Sequence, residues 1–167
     1  MGRAAARIID PVAHPLPPVL TGGPGSSNVW IGNLPAWRGL PTAAVPDLIA
    51  AVKDSGLAIK KAELATELAK GKPPAEGLAK ANEIKTKADE AIKMGKKIAN
   101  IAAGGTDIHT CTTPLPLPPH GPGVVIDGSA TVLINGLPAC RAGDTIVEAI
   151  GPPNKIIAGC FTVQIGG

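Results

Sequence analysis

Two kinds of apolar spacing divide this chain. Toward both ends, apolar residues alternate with polar or small ones in short runs, the period of a strand with one buried face. SSNVWIGNLPAWRG (26 to 39) and SATVLINGLPACRA (129 to 142) carry this pattern in register, matching Val29 to Val132, Ile31 to Ile134, Leu34-Pro35-Ala36 to Leu137-Pro138-Ala139, and Arg38 to Arg141. GCFTVQIGG (159 to 167) reads as a third, partial copy, with Val163 and Ile165 at the same apolar positions. A repeated phrase points to a repeated structural unit. Gly-Asn in the first copy and Asn-Gly in the second follow the alternation directly, and such pairs favour tight hairpin turns. Each copy is preceded by a Gly and a small residue or Cys: Gly25-Ser26, Gly128-Ser129 and Gly159-Cys160. The short apolar runs upstream, PPVL, GVVIDG and NKIIAG, are expected to pair with the strands that follow them. The unit is thus a short hairpin ending in a Leu-Pro-Ala-x-Arg turn, and three of them predict a compact β assembly of approximate threefold character.

Between the first and second copies the period changes to that of a helix. Leu48, Val52, Leu57, Leu64 and Leu68 recur at helical spacing, GKPP (71 to 74) breaks the run, and Leu78, Ile84, Ala88, Ile92 and Ile98 resume it. Pro46 and Pro74 suit first-turn positions, and Glu76 with Lys80, Glu83 with Lys87 and Asp89 with Lys93 are favourable i, i+4 pairs. The expected organisation is mainly β with a helical insertion: residues 1–45 and 104–167 form one small pseudo-threefold cone of short hairpins, interrupted by an antiparallel α-helical hairpin over 46–103. The insertion reads either as a packing arm or as a docking surface for cargo, since an amphipathic hairpin needs a partner for its apolar stripe.

Composition limits what this fold can bury. With one Phe, two Trp and no Tyr in 167 residues, the core must be made from Val, Ile, Leu and Ala. The 21 Gly and 18 Pro alternate with β-branched runs, which favours tight turns over disorder. A net charge of +3, with most Lys between Lys53 and Lys97 and few aromatics, describes a solvated helical face and argues against nucleic-acid binding. MGRAAARIID has no apolar signal-peptide core, and no apolar run approaches a bilayer span. Three scattered Cys then predict reduced thiols in a cytoplasmic protein.

The candidate chemistry is metal binding. All three histidines, His14, His109 and His120, lie in the β part, His14 following Asp10 and His109 following Asp107 at corresponding entry segments. Three imidazoles and one thiolate make a closed tetrahedral donor set that suits Zn²⁺, and a metal can hold together segments that a small core cannot. Cys160 ranks first among the thiols, because it replaces the hydroxyl of Ser26 and Ser129 in one copy only. Cys111, two residues after His109, is the rival, and Cys140, opposite Trp37 in the alignment, reads as a packing residue. No nucleophile elbow, phosphate loop or paired carboxylates appear, so no catalytic residue and no organic cofactor are expected. Asp144 in RAGD is read as accepting turn amides or pairing with Arg141.

With LPAWRG, LPACRAGD, DIHTC…PPHGPG and GCFTVQIGG in this order, the chain resembles the PAAR family over residues 1 to about 45 and 104 to 167. Both motif copies depart from Pro-Ala-Ala-Arg, with Trp37 and Cys140 at the second Ala. The resemblance implies a non-enzymatic cone that caps the trimeric VgrG spike of a type VI secretion system, one chain per trimer, sharpening it for transient membrane puncture and mounting effectors. It implies a structural zinc held by three His and one Cys, carried over to His14, His109, His120 and Cys160. It further implies a bacterial cytoplasmic location before firing and delivery outside the cell or into a target cell afterwards. The alternative is an effector adaptor whose helical hairpin binds cargo while the cone anchors it. A metal-dependent toxin is disfavoured by the expectation that no toxin domain follows Gly167.

Overall fold

Gly32 and Asn33 in one copy, and Asn135 and Gly136 in the other, all have φ between 52° and 77°, the left-handed pair that closes a two-residue hairpin. The computed structural model describes residues 2–13, 19–111 and 120–166. Around those two turns β2 (Trp30–Ile31) pairs with β3 (Leu34–Pro35), and β6 (Leu133–Ile134) with β7 (Leu137–Pro138). The third hairpin is built from sequence-distant segments: β1 (Arg3–Ala5) pairs antiparallel with β10 (Cys160–Ile165), setting Arg3 opposite Ile165 and Ala5 opposite Cys160. GCFTVQIGG is therefore completed by Ala4-Ala5-Ala6-Arg7, so Ala5 corresponds to Ala36 and Ala139, and Arg7 to Arg38 and Arg141.

The three copies close on one another in a ring. The Ala6 N–H donates to the Cys140 carbonyl at 2.9 Å, the Cys140 N–H to that of Trp37 at 3.0 Å, and the Trp37 N–H to that of Ala6 at 2.9 Å. Isolated bridges follow the same cycle, joining Ala36 to Arg7, Ala139 to Arg38 and Ala5 to Arg141. Ile31, Ile134 and Ile165, one from each hairpin, are buried together with Ala5, Ala36 and Ala139. On the other side of the ring Trp37, Ala6 and Cys140 pack with Val12, Leu20, Val125, Ile146 and Ile156. Trp37 is fully buried and supplies the bulk that an aliphatic core lacks.

One ion-pair clamp is repeated three times. Asp10 accepts the backbone N–H of Arg7 at 2.7 Å and its guanidinium at 3.1 and 2.8 Å. Asp107 does the same to Arg38 at 2.8, 3.0 and 2.9 Å, and Asp144 to Arg141 at 2.8, 3.3 and 3.2 Å. All three carboxylates are buried, so each charge is held by two-point charge-assisted bonds instead of water. Hydrogen bonding to Asp10 and Asp107 raises the Arg7 and Arg38 guanidinium pKa above the ordinary value. Asp144 goes the other way for a carboxyl, its pKa pushed up chiefly by burial despite Arg141.

In two copies the clamp spans three residues, but Arg38 and Asp107 lie 69 positions apart because the helical insertion enters between them. A short 3₁₀ turn over Thr42–Ala44 leads into α1 (Val45–Ala69), and α2 (Ala75–Ala102) returns antiparallel. The fold is thus β-rich with an inserted helical hairpin, as the change of period predicts. The buried face differs from the leucine series. Leu48, Met94, Ile98 and Ala102, near the root of the hairpin, pack with Val124, Val147 and Ala149 of the sheet. Beyond the root, the buried residues are Ser55 and Ala62 on α1 and Glu83 on α2, small groups and one clasped carboxylate, while Leu57, Leu64, Leu68, Leu78, Ile84 and Ile92 are exposed.

Of the expected helix pairs, Glu83 with Lys87 forms at 2.8 Å, and Lys87 also reaches Glu63 of α1 at 2.8 Å, tying the two helices. Glu76 instead accepts the Gly71 N–H at 2.8 Å, where it stops the exposed start of α2 from fraying, and Lys93 and Asp89 turn to Glu90 and Lys85.

The upstream apolar runs do not pair with the strands that follow them. GVVIDG contributes to β5 and NKIIAG to β9 of a separate antiparallel sheet in the order β4 (His109–Cys111), β5 (Gly121–Val125), β8 (Thr145–Glu148), β9 (Asn154–Lys155), while Val19 of PPVL bridges Pro11. Each two-residue hairpin strand pairs instead across its own turn. This sheet carries His109 on β4, and His120 stands just before its strand β5.

Candidate metal centre

β4 places His109 and Cys111 two residues apart, on one face of a strand, and both are buried. His120 stands just before β5, where Cys111 faces Gly121 in register, and its backbone N–H donates to the Cys111 sulfur at 3.4 Å. Glu148 ends β8, the next strand over, and its side chain is fully buried. The Cys111 sulfur, a His120 ring nitrogen and a Glu148 oxygen lie within 4.8 Å of one another. His120 Nδ1 sits 2.8 Å from Glu148 Oε2, and His109 Nε2 sits 3.5 Å from Glu148 Oε1, so one carboxylate faces both imidazoles. The Thr21 N–H approaches His109 Nδ1 at 3.4 Å from the other side. Gly151, at φ 103°, lets the His120 ring lie directly against its backbone.

Sulfur, imidazole and carboxylate, gathered in a mostly buried pocket of strand ends, form a donor set that can hold a metal ion. The mixture of one thiolate with nitrogen and oxygen donors suits a borderline-soft ion. An amide aimed at the sulfur and a carboxylate against the imidazole are partners that fix the orientation of the two side chains.

Among the sequence-derived ligands, His109 and His120 are brought to this sheet, and His14 lies outside the described residues. Cys160 is placed elsewhere. It opens β10 beside Ala5, Arg7 and Gly32, in the cluster formed by the three hairpins. The reason is the substitution that drew attention to it. Ser26 Oγ accepts the Val29 N–H at 3.0 Å, Ser129 Oγ accepts that of Val132 at 3.0 Å, and the Cys160 sulfur takes the same position toward Thr162 and Val163. Its pKa is lowered, first by the Thr162 hydroxyl at 3.2 Å and then by backbone amides and Arg7. A thiol stabilised by its own turn is a hairpin residue. Cys140 is fully buried among apolar groups, and that burial pushes its thiol pKa well up. Cys111 is the thiol that shares the histidine sheet. Glu148 has no second carboxylate spaced in the sequence to pair with it. Its signal was weaker: a charge at the end of an otherwise apolar strand, TIVE, which the structure buries on three consecutive positions.

A pseudo-threefold β scaffold, closed by a three-bond ring and carrying one thiol, imidazole and carboxylate cluster, is a structural class of protein with a metal-capable site. Residues 115–167, from the segment before His120 through β10, match the family model described as the PAAR motif. No curated protein matches the chain.

Proposed function

We propose that this chain is a non-enzymatic tip protein that caps the trimeric VgrG spike of a type VI secretion system, one chain per trimer. The PAAR motif is consistent with a spike-tip role. The observation that carries the reading furthest is the closed ring of Ala6, Trp37 and Cys140 with its three equivalent Arg–Asp clamps. A single chain with three near-equivalent faces can offer one to each subunit of a threefold partner, and the partner then covers hairpin edges that two-residue strands leave short. Ion-paired turns and a ring of backbone bonds make a stiff object, which is what piercing a membrane demands; no described helix is itself long and apolar enough to cross one.

Zinc is the proposed ion, held by Cys111 and His120 with His109 and His14 completing the set. When bound, zinc supplies a structural crosslink between chain segments. The protein's own residues do the rest: Cys111 and His120 join the two sides of the β4–β5 connection, with Cys111 buried and His120 half-buried. The chain resides in the bacterial cytoplasm before firing and leaves on the spike. A second reading, that the arm carries an effector, is favoured by the exposed Leu57, Leu64 and Leu68 on α1. Co-elution with the matching spike trimer, together with about one zinc per chain by elemental analysis, is the expected result. A chain that binds neither would overturn the reading.

A further inference from the structure

His109, Gly123 and Glu148 stand abreast on three neighbouring strands: His109 is the partner of Gly123 across β4 and β5, and Gly123 is the partner of Glu148 across β5 and β8. Residues in such a row point to one side of the sheet, and a side chain on the central strand would separate the outer two. Glycine leaves that place empty of side-chain atoms. A Cβ added to Gly123 would lie 2.8 Å from Glu148 Cγ and 3.0 Å from Ile146 Cγ2, closer than real Cβ contacts come. The Glu148 side chain therefore crosses the middle strand through the gap, and its carboxylate arrives between two histidines from different segments, 2.8 Å from His120 Nδ1 and 3.5 Å from His109 Nε2.

The geometry points to Glu148 as a positioning residue for the metal centre, with Gly123 as the opening that lets it reach. Resting on the metal reading above, it holds the imidazole of His120 in the orientation in which it meets the ion. A carboxylate that accepts the Nδ1–H of His120 fixes its tautomer and presents Nε2 as the metal-binding atom.

The test uses the full chain and cobalt or zinc as the probe. Glu148→Gln keeps the shape and removes the charge. The variant is expected to bind metal roughly 10- to 100-fold more weakly in a chelator competition, and at saturating cobalt to retain the thiolate-to-metal absorption band of the parent. Gly123→Ala, which leaves every donor in place, is expected to weaken binding in the same direction. Unchanged affinity in Glu148→Gln, with only the metal-free thermal midpoint lowered, would reduce Glu148 to a buried structural acid and overturn the inference. So would a Glu148→Gln protein that takes up no cobalt at saturation, because Glu148 would then be a ligand in its own right. A parent protein that binds no metal would overturn the site itself along with this role, an outcome distinct from either.

Discussion

A buried carboxylate next to a buried guanidinium is stabilising only while both are present, since losing one partner leaves the other charge without water or counter-ion. Asp107 is the informative case, because its clamp on Arg38 bridges the two ends of the helical insertion. Asp107→Ala is expected to cost roughly 3–5 kcal/mol in urea denaturation; a loss below about 1 kcal/mol, the value of a surface pair, would show that the clamp is incidental. The Arg141–Asp144 pairing could be read from RAGD, where the two residues are three apart, whereas the Arg38–Asp107 pairing could not, because nothing local joins residues 69 positions apart. The thiols show the same limit. Cys160 stood out as an odd residue in a repeat, yet the repeat itself explains it as a serine-like turn acceptor, so Cys160→Ser should leave zinc content near one per chain while Cys111→Ser lowers it sharply. Retention of zinc by Cys111→Ser, measured on purified protein, would return the ligand role to another thiol.

At the scale of elements, the inserted arm has two unlike parts. Its root is core: Leu48 is fully buried against the sheet cluster, and Leu48→Ala should cost roughly 2–5 kcal/mol, where the exposed Leu64→Ala should stay within about 0.5 kcal/mol. Equal effects in thermal or chemical unfolding would contradict this division. Farther out the helices are held by Lys87, which meets Glu63 on one helix and Glu83 on the other. Hydrogen bonds from Lys87, Thr66 and Lys80 lower the Glu83 pKa from 4.5 to about 2. Because the folded value is the lower one, this contribution is complete above about pH 4.5 and fades as the pH falls toward 2. Helical content followed by circular dichroism should therefore become less heat-stable across that window, and Glu83→Gln should flatten the dependence. The existence of both helices and the break at GKPP were legible from periodicity and proline. The buried face was not, because the seam uses Ser55 and Ala62, which carry little hydropathy, and leaves the leucines outside.

For the whole molecule, the repeat was readable twice in linear order and only half readable the third time. The missing half, Ala4-Ala5-Ala6-Arg7, stands at the opposite end of the sequence from VQIGG, and only the pairing of β1 with β10 joins them. Its alanines also lack the Leu-Pro that marks the other two copies, so pattern matching had little to hold. The sheet of His109 was harder still, since it pairs β5 with β8 across an intervening hairpin. What the three copies build is one chain of approximate threefold character, and this is the property on which the proposed spike-tip role depends. The most direct measurement is native mass spectrometry of the chain mixed in excess with its matching trimeric spike protein. A complex of one chain with three spike subunits, unchanged as the excess grows, is the predicted result. Three chains per trimer, or no complex at any ratio, would contradict it.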